Sequence, residues 1–141
     1  MKFYLAGPMT GLPHFNFPAF TAAASDLRAH GYDIVSPAEM DSPAVKAAAH
    51  DSVDGALTDG KVAGETWGDM LARDVKVIAD TCDGVIMLPD WQKSRGARLE
   101  LFVALLSNKT YFGYYVAGTG GNPVRWVAAS VVRQIIRENM P

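Results

Sequence analysis

The chain has 141 residues, 49% of them hydrophobic, with one cysteine and a formal net charge of −2 at pH 7. This length allows one domain with a sizeable core, and the charge argues against a nucleic-acid-binding surface. Because no apolar run could cross a bilayer, no signal peptide follows Met1 and the single Cys82 can form no intrachain disulfide, we expect a cytoplasmic protein that binds neither nucleic acid nor membrane.

The first predicted strand, Lys2–Ala6, runs directly into a glycine-rich turn at residues 7–11. Such a turn lets a ligand approach the backbone closely. It lacks the G-x-G-x-x-G spacing of a dinucleotide fingerprint and the G-K-[ST] of a P-loop. The loop that follows, residues 12–17, offers rings and hydrogen-bonding groups as candidate ligand contacts: His14, Phe15, Asn16 and Phe17.

The next segments predict a helix, a strand and a long connection. Pro18 is expected at the first helical position, before a helix over 19–30 and a strand over 32–35. Residues 38–66 show no sustained apolar period beyond a short helix over 43–50. Because a compact α/β domain rarely contains so long a connection, we interpret 38–66 as a lid or a specificity insertion. A disordered surface loop is the alternative.

The chain is organised around residues 83–106. A helix with Met70, Leu71 and Val75 on its apolar stripe leads into the apolar run 85–88, which has the length of a buried parallel strand and ends at Pro89. A polar loop over 90–96 precedes another helix. Its apolar residues at spacings of three and four are Leu99, Phe102, Val103 and Leu106. Glu100 interrupts this pattern and is either solvated or directed into a ligand crevice.

The last third predicts a strand over 110–116, a turn over 118–121 and a final helix to about 138, capped by Asn122 with Pro123 at its first position. Strands that alternate with helices indicate an α/β fold. We therefore predict a single Rossmann- or flavodoxin-like three-layer domain with a parallel sheet of four or five strands. Ligands of such sheets bind at the carboxyl edge of the strands.

Three sequence features are informative when they occur together and in this order. They are Tyr4 followed by Gly7 on the first strand, the helical Asp74 ahead of C-D-G-V-I, and Ser94-x-Gly96-x-x-x-Glu100 at the start of a helix. Over nearly its whole length the chain thereby resembles the nucleoside 2-deoxyribosyltransferase-like superfamily. The resemblance implies that Glu100 attacks the anomeric carbon of a nucleoside, that Asp74 handles the proton of the base, and that Tyr4 orients the glutamate.

The chemistry of N-glycosidic cleavage accounts for these residue types. The bond breaks through an oxocarbenium-like state, which a carboxylate under the sugar stabilises and traps. The leaving base needs a proton, and a second carboxyl group with a raised pKa is able to supply it. A tyrosine hydroxyl beside the first carboxylate would hold its rotamer.

Ser94 indicates one branch of this superfamily. By resemblance, transferring members carry an acidic residue there, whereas hydrolases of nucleoside 5′-monophosphates carry serine. Ser94 and Gly96 at the amino end of a helix would offer free amides to a phosphate. The arginine that these hydrolases often have in the first loop is absent, so His14, Asn16 or a phenylalanine ring is expected to replace it. The implied substrate-binding residues are Gly7, Met9, His14, Asn16, Phe17, Pro89, Trp91, Ser94, Gly96 and Ala97.

The hypothesis is therefore hydrolysis of a (deoxy)nucleoside 5′-monophosphate to free base and sugar phosphate. By resemblance the protein would bind a small nucleotide, need no metal or other cofactor, and form a homodimer or a higher oligomer. Its compact pattern is also similar to bacteriophage proteins, which would place it in the host cytoplasm. Two alternatives stay open: a transferase that exchanges bases, and a module that binds nucleotide without cleaving it. The TIR-like enzymes that cleave nicotinamide dinucleotides are a remoter relationship.

Overall fold

The computed structural model describes residues 1–115 and 121–139. Its elements in chain order are β1 (Lys2–Ala6), α1 (Phe17–Ala29), β2 (Asp33–Val35), α2 (Pro37–Met40), α3 (Pro43–Asp51), β3 (Lys61–Val62), β4 (Glu65–Thr66), α4 (Trp67–Thr81), β5 (Gly84–Met87), α5 (Arg95–Leu106), β6 (Thr110–Tyr114), β7 (Val124–Trp126) and α6 (Ala129–Asn139). Short 3₁₀ turns at Pro13–Asn16 and Trp91–Lys93 precede α1 and α5. Within the described ranges, none of the helices combines the length and apolar character needed to cross a bilayer.

Five strands form one central sheet in the order β2-β1-β5-β6-β7. The first four of these strands are parallel, whereas β7 is antiparallel to β6. β3 and β4 form a separate small hairpin. The α/β class and the three-layer arrangement predicted from the sequence are confirmed, and the fifth strand runs opposite to its neighbour.

Helices cover both faces of this sheet, as the alternation of side chains along β1 shows. Phe3 and Leu5 pack in a cluster with α1 and α2. Tyr4 and Ala6 pack in a second cluster with α4, α5 and α6. Successive side chains of a strand point to opposite faces, so a strand buried on both sides is apolar at nearly every position. Tyr4 consequently points to the face that carries α4 and α5.

The predicted start of the last helix was wrong. Asn122 and Pro123 do not cap it; the next three residues form β7, and α6 begins at Ala129. The Asn122 Oδ1 accepts hydrogen bonds from the Val124 amide at 3.0 Å and the Tyr32 hydroxyl at 2.9 Å. Asn122 therefore stabilises a turn that leads into β7. An Asn-Pro pair can precede either a helix or a strand, and here the pairing of the following residues with β6 favours the strand. Of the predicted strand end and turn, positions 116 and 118–120 lie outside the described residues.

The buried face of α5 also differs from the prediction. Leu99 is 38% exposed and Leu106 is 86% exposed, although their spacing predicted a core stripe. The residues that α5 buries are Ala97, Glu100, Leu101 and Ala104. The small alanines let α5 pack closely against its neighbours, so close packing rather than apolar spacing sets the rotation of the helix. Glu100 therefore lies on the buried face instead of interrupting it.

Residues 38–66 pack against the loop that follows β1. Buried side chains from both segments form one cluster: Phe15, Val45, Ala49 and Val62. Backbone hydrogen bonds join them as well, from the Gly11 amide to the Gly55 carbonyl at 2.9 Å and from the His14 amide to the Ser52 carbonyl at 2.8 Å. We call these two packed segments, 7–17 and 38–66, the cap unit. Residues 38–66 are thus packed against the rest of the domain rather than forming a separate surface loop.

Candidate active site

The candidate site lies where the connections of the sheet change direction. The chain leaves β1 toward β2 on one side, while the other neighbour of β1 is β5. Loops that leave two such strands diverge and open a crevice at the carboxyl edge. The strand ends approach closely here, since a Cβ placed on Gly7 would lie 2.8 Å from the Cβ of Leu88. Glycine is therefore required at the first turn.

A cavity of about 900 Å³ occupies this crevice, within the usual size range of small-molecule sites. The cap unit, the amino-terminal halves of α4 and α5, and the loop after β5 form its walls. The charged residues that line it are Asp41, Arg73, Asp74, Asp90, Lys93, Arg95 and Glu100. In the part of the chain that the structure describes, no group of three or more His, Cys, Asp or Glu residues could hold a metal ion.

Glu100 is one of three buried carboxyl groups that line the cavity, with Asp41 and Asp74. Its side chain lies on the buried face of α5, and its Oε1 accepts a 2.9 Å hydrogen bond from the hydroxyl of the fully buried Tyr4. Burial and, after it, the charge of Asp74 raise the pKa of Glu100 to about 8, although Tyr4 and Arg73 oppose the rise. Burial and the carboxyl groups of Glu100 and Asp74 raise the pKa of Tyr4 well above its ordinary value, so its hydroxyl stays a donor.

Asp74, on α4, forms an ion-pair network with its neighbour Arg73. The Nε of Arg73 donates to Oδ1 of Asp74 at 2.9 Å, and Nη2 lies 2.8 Å from the same oxygen. The Nη1 of Arg73 donates to the buried carboxylate of Asp41, just after α2. Burial raises the pKa of Asp74 despite the opposing charge of Arg73. Burial lowers the pKa of Arg73, but the hydrogen bonds and charges of Asp41 and Asp74 raise it, and the net effect is a raised pKa.

The amino end of α5 places hydrogen-bond donors on another wall of the cavity. Ser94 caps the helix, because its Oγ accepts a 3.2 Å hydrogen bond from the Ala97 amide. The hydroxyl hydrogen of Ser94 and the amides of Arg95 and Gly96 remain at the positive end of the helix dipole, where anions bind. The guanidinium of Arg95 stacks 5.1 Å from the ring centre of Trp67, which also lines the cavity.

Most residues predicted for the site lie together in this structure. The predicted residues that line the cavity are Gly7, Met9, Asn16, Phe17, Asp74, Pro89, Ser94, Gly96, Ala97 and Glu100. Tyr4 joins them through its bond to Glu100.

Two predicted contacts lie elsewhere. His14 is exposed, with Nδ1 2.7 Å from the carbonyl oxygen of His50, because three consecutive left-handed residues, His14–Asn16, turn the Phe15 ring inward instead. Trp91 is 5% exposed and packs in the core with α4 and α5, since the 3₁₀ turn at Trp91–Lys93 folds its ring away from the cavity.

The sequence-based site lacked Asp41 and Arg73. A signal existed for Arg73, because an arginine directly before a candidate catalytic aspartate favours an ion pair. Asp41 carried no such signal, since its pairing joins positions 32 residues apart in different elements. Tyr114 was also missed; it lines the cavity and donates a 2.9 Å hydrogen bond to Asp26 on α1.

Comparison with protein-family models gives a match over residues 1–110 to the family described as Domain of unknown function (DUF4406). A search among curated proteins found no match. The matched span runs from β1 through α5 and contains every residue that lines the cavity except Tyr114. The family description assigns no activity, so the function has to be inferred from the residues of the site.

Proposed function

The chain belongs to the DUF4406 family, and we propose that it hydrolyses the N-glycosidic bond of a (deoxy)nucleoside 5′-monophosphate. The products would be the free base and (deoxy)ribose 5-phosphate. The observation that supports this most strongly is the buried Glu100, held by Tyr4 at 2.9 Å in a cavity that also contains Asp74. The resemblance to the nucleoside 2-deoxyribosyltransferase-like superfamily points to the same chemistry.

In the proposed reaction Glu100 is the nucleophile. Its carboxylate forms a bond to C1′ of the sugar as the bond from C1′ to the base nitrogen breaks, and the base leaves with that electron pair and takes a proton. Water then cleaves the glycosyl ester, which gives the sugar a hydroxyl group at C1′ and frees Glu100. The bond from Tyr4 fixes the rotamer of the glutamate, so the carboxyl group is oriented before substrate arrives.

The cavity also suits the other parts of such a substrate. The first turn of α5, with Ser94 and Gly96, offers donors for a 5′-phosphate, and Lys93 and Arg95 add positive charge nearby. The rings of Phe15, Phe17 and Trp67 line the same cavity and are of a kind on which bases stack. The phosphate donors favour a monophosphate over a free nucleoside.

A direct assay tests the proposal. The purified protein would be incubated with each common and 5-modified ribo- and deoxyribonucleoside monophosphate, beside the matching nucleosides, and free base would be measured by chromatography. We expect release from monophosphates only. Glu100→Gln should lower the rate by at least about 10³-fold, because the nucleophile is lost. The same substitution at the exposed Glu138, on α6, is the control and should leave the rate unchanged.

Two other results would contradict the proposal. Base exchange that requires a second base and yields no sugar phosphate would identify a transferase. Binding of a monophosphate by calorimetry with no release from any substrate, by wild type and Glu100→Gln alike, would leave a nucleotide-binding module.

A further inference from the structure

Arg73 is a half-buried cation with no role in the reaction described above. Its side chain is 28% exposed and lies between two carboxylates whose side chains are 3% and 9% exposed, those of Asp41 and Asp74. Its Nε and Nη2 atoms lie 2.9 and 2.8 Å from the same oxygen of Asp74, Oδ1. The third nitrogen is bound to Asp41, so the guanidinium is held from both sides.

Arg73 and Tyr4 lower the pKa of both carboxyl groups of the proposed mechanism, but only Asp74 is hydrogen-bonded to Arg73. Asp74 faces the full positive charge of Arg73, whereas Glu100 is hydrogen-bonded to the neutral hydroxyl of Tyr4. Asp41 is the further charge that acts on Asp74, from the segment after α2. The remaining charged groups of the cavity, Asp90, Lys93 and Arg95, lie at the amino end of α5 and just before it.

Two buried carboxyl groups that act on each other do not both ionise readily, because each charge opposes the other. The group with the cationic partner loses its proton first. We propose that Arg73 is a positioning residue that fixes the negative charge of this pair on Asp74 and leaves the proton of the pair on Glu100, with Asp41 holding the guanidinium in place. The inference deepens the proposed function, and its consequence for catalysis rests on that function.

The consequence is that the empty site already holds the proton that the departing base needs. Glu100 passes its proton to Asp74 and becomes the carboxylate that bonds to C1′. Asp74 passes a proton to the base nitrogen that received the electron pair of the broken bond. Hydrolysis of the ester by water returns a hydroxyl group to C1′ and a proton to Glu100. Every proton is accounted for, and the net charge of the pair is the same before and after the cycle.

Carboxyl carbon NMR of the ligand-free protein tests the inference without any substrate. The protein would carry carbon-13 in its Asp and Glu carboxyl groups, and the Asp74 and Glu100 signals would be followed from pH 4 to 10. In wild type, Asp74 should titrate at lower pH than Glu100, which should titrate near pH 8. In Arg73→Gln the charge of Arg73 no longer opposes the effect of burial on the pKa of Asp74 and only the Tyr4 hydroxyl still does, so the Asp74 titration should move upward by one pH unit or more.

Two further variants keep the test decisive. Arg73→Lys retains the charge but not the planar fork, so its Asp74 titration should fall between wild type and Arg73→Gln, even if the latter folds poorly. Arg28→Gln breaks another arginine–carboxylate pair, with Glu39 at 2.7 Å, outside the cavity, and should leave both titrations unchanged. Folded Arg73 variants with an unchanged Asp74 titration would overturn the inference, as would a wild type in which Glu100 titrates first.

This inference and the proposed function fail in different experiments. Base release with no effect of Arg73 on the titration would refute only the role of Arg73. The expected titrations with no base release from any nucleotide would refute only the proposed reaction and leave the charge arrangement of the pair in place.

Discussion

At the scale of single residues, the buried carboxyl group of Glu100 lowers the stability of the folded protein at neutral pH. Glu100 has a pKa of about 8 in the folded protein against an ordinary value of 4.5. Between these values the folded protein binds a proton that the unfolded chain does not bind, so its contribution makes stability fall as pH rises from about 4.5 to about 8. Below that window Glu100 imposes no such loss, and above it the loss is constant.

Glu100→Gln should therefore stabilise the protein in a pH-dependent way. The amide has nearly the same shape, still accepts the Tyr4 bond through its carbonyl oxygen, and carries no charge. We expect the free energy of unfolding to match wild type near pH 4 and to exceed it by an amount on the order of 3 kcal/mol at pH 7, rising to a plateau above pH 8. Urea unfolding of both proteins at each pH measures this. A difference that does not vary with pH would show that Glu100 titrates normally.

Motifs and fold class together predicted part of the site. Tyr4, Asp74 and Glu100 were assigned to the site by the family resemblance, and the fold class predicts that the elements carrying them meet near the carboxyl edge of the sheet. His14 was misplaced because no sequence period predicts a run of left-handed residues. Asp41 was missed because its contact with Arg73 depends on the path of the chain between two elements.

At the scale of elements, two helices have serine caps of the same geometry, and comparing them distinguishes an effect on stability from an effect on ligand binding. Ser94 caps α5 and Ser42 caps α3, each by accepting a 3.2 Å hydrogen bond from the amide three residues later. Either serine changed to alanine should lower the free energy of unfolding by about 1 kcal/mol. Only Ser94→Ala should also weaken binding of a nucleoside monophosphate, by about 10-fold, since its hydroxyl is a proposed phosphate donor.

Urea unfolding and calorimetry on the Ser94→Ala and Ser42→Ala variants measure these effects. Equal affinities in both variants would remove Ser94 from the phosphate site.

The elements themselves were largely predictable, and the exceptions have physical causes. β1 and β5 were clear because strands buried on both faces are continuous apolar runs. The orientation of α5 was not clear, because Ala97 and Ala104 face the core and carry little hydrophobic signal. β7 was missed because a strand of three residues depends on pairing with β6 more than on its own sequence.

At the scale of the whole molecule, the cap unit should open as one body. Val45 is 2% exposed in its core, whereas Val53, in the same segment, is 82% exposed. Val45→Ala should lower the local opening free energy by about 1–3 kcal/mol and speed hydrogen exchange at the Gly11 and His14 amides together, with the amides of β1 unaffected. Val53→Ala should change none of these rates. Faster exchange in α3 alone would show that the two segments open separately.

The bond between Tyr4 and Glu100 joins residues 96 positions apart in the chain. β1, which carries Tyr4, is an interior strand of the sheet, and one of its two partners, β5, is synthesised long after it. Contacts of such long range form late in folding, because a large loop must close first. A nascent chain or a truncated fragment that stops before α5 lacks the residue that Tyr4 orients. For the proposed reaction, activity would therefore require that α5 has been synthesised and packed against β1, and a shorter nascent chain would be inactive.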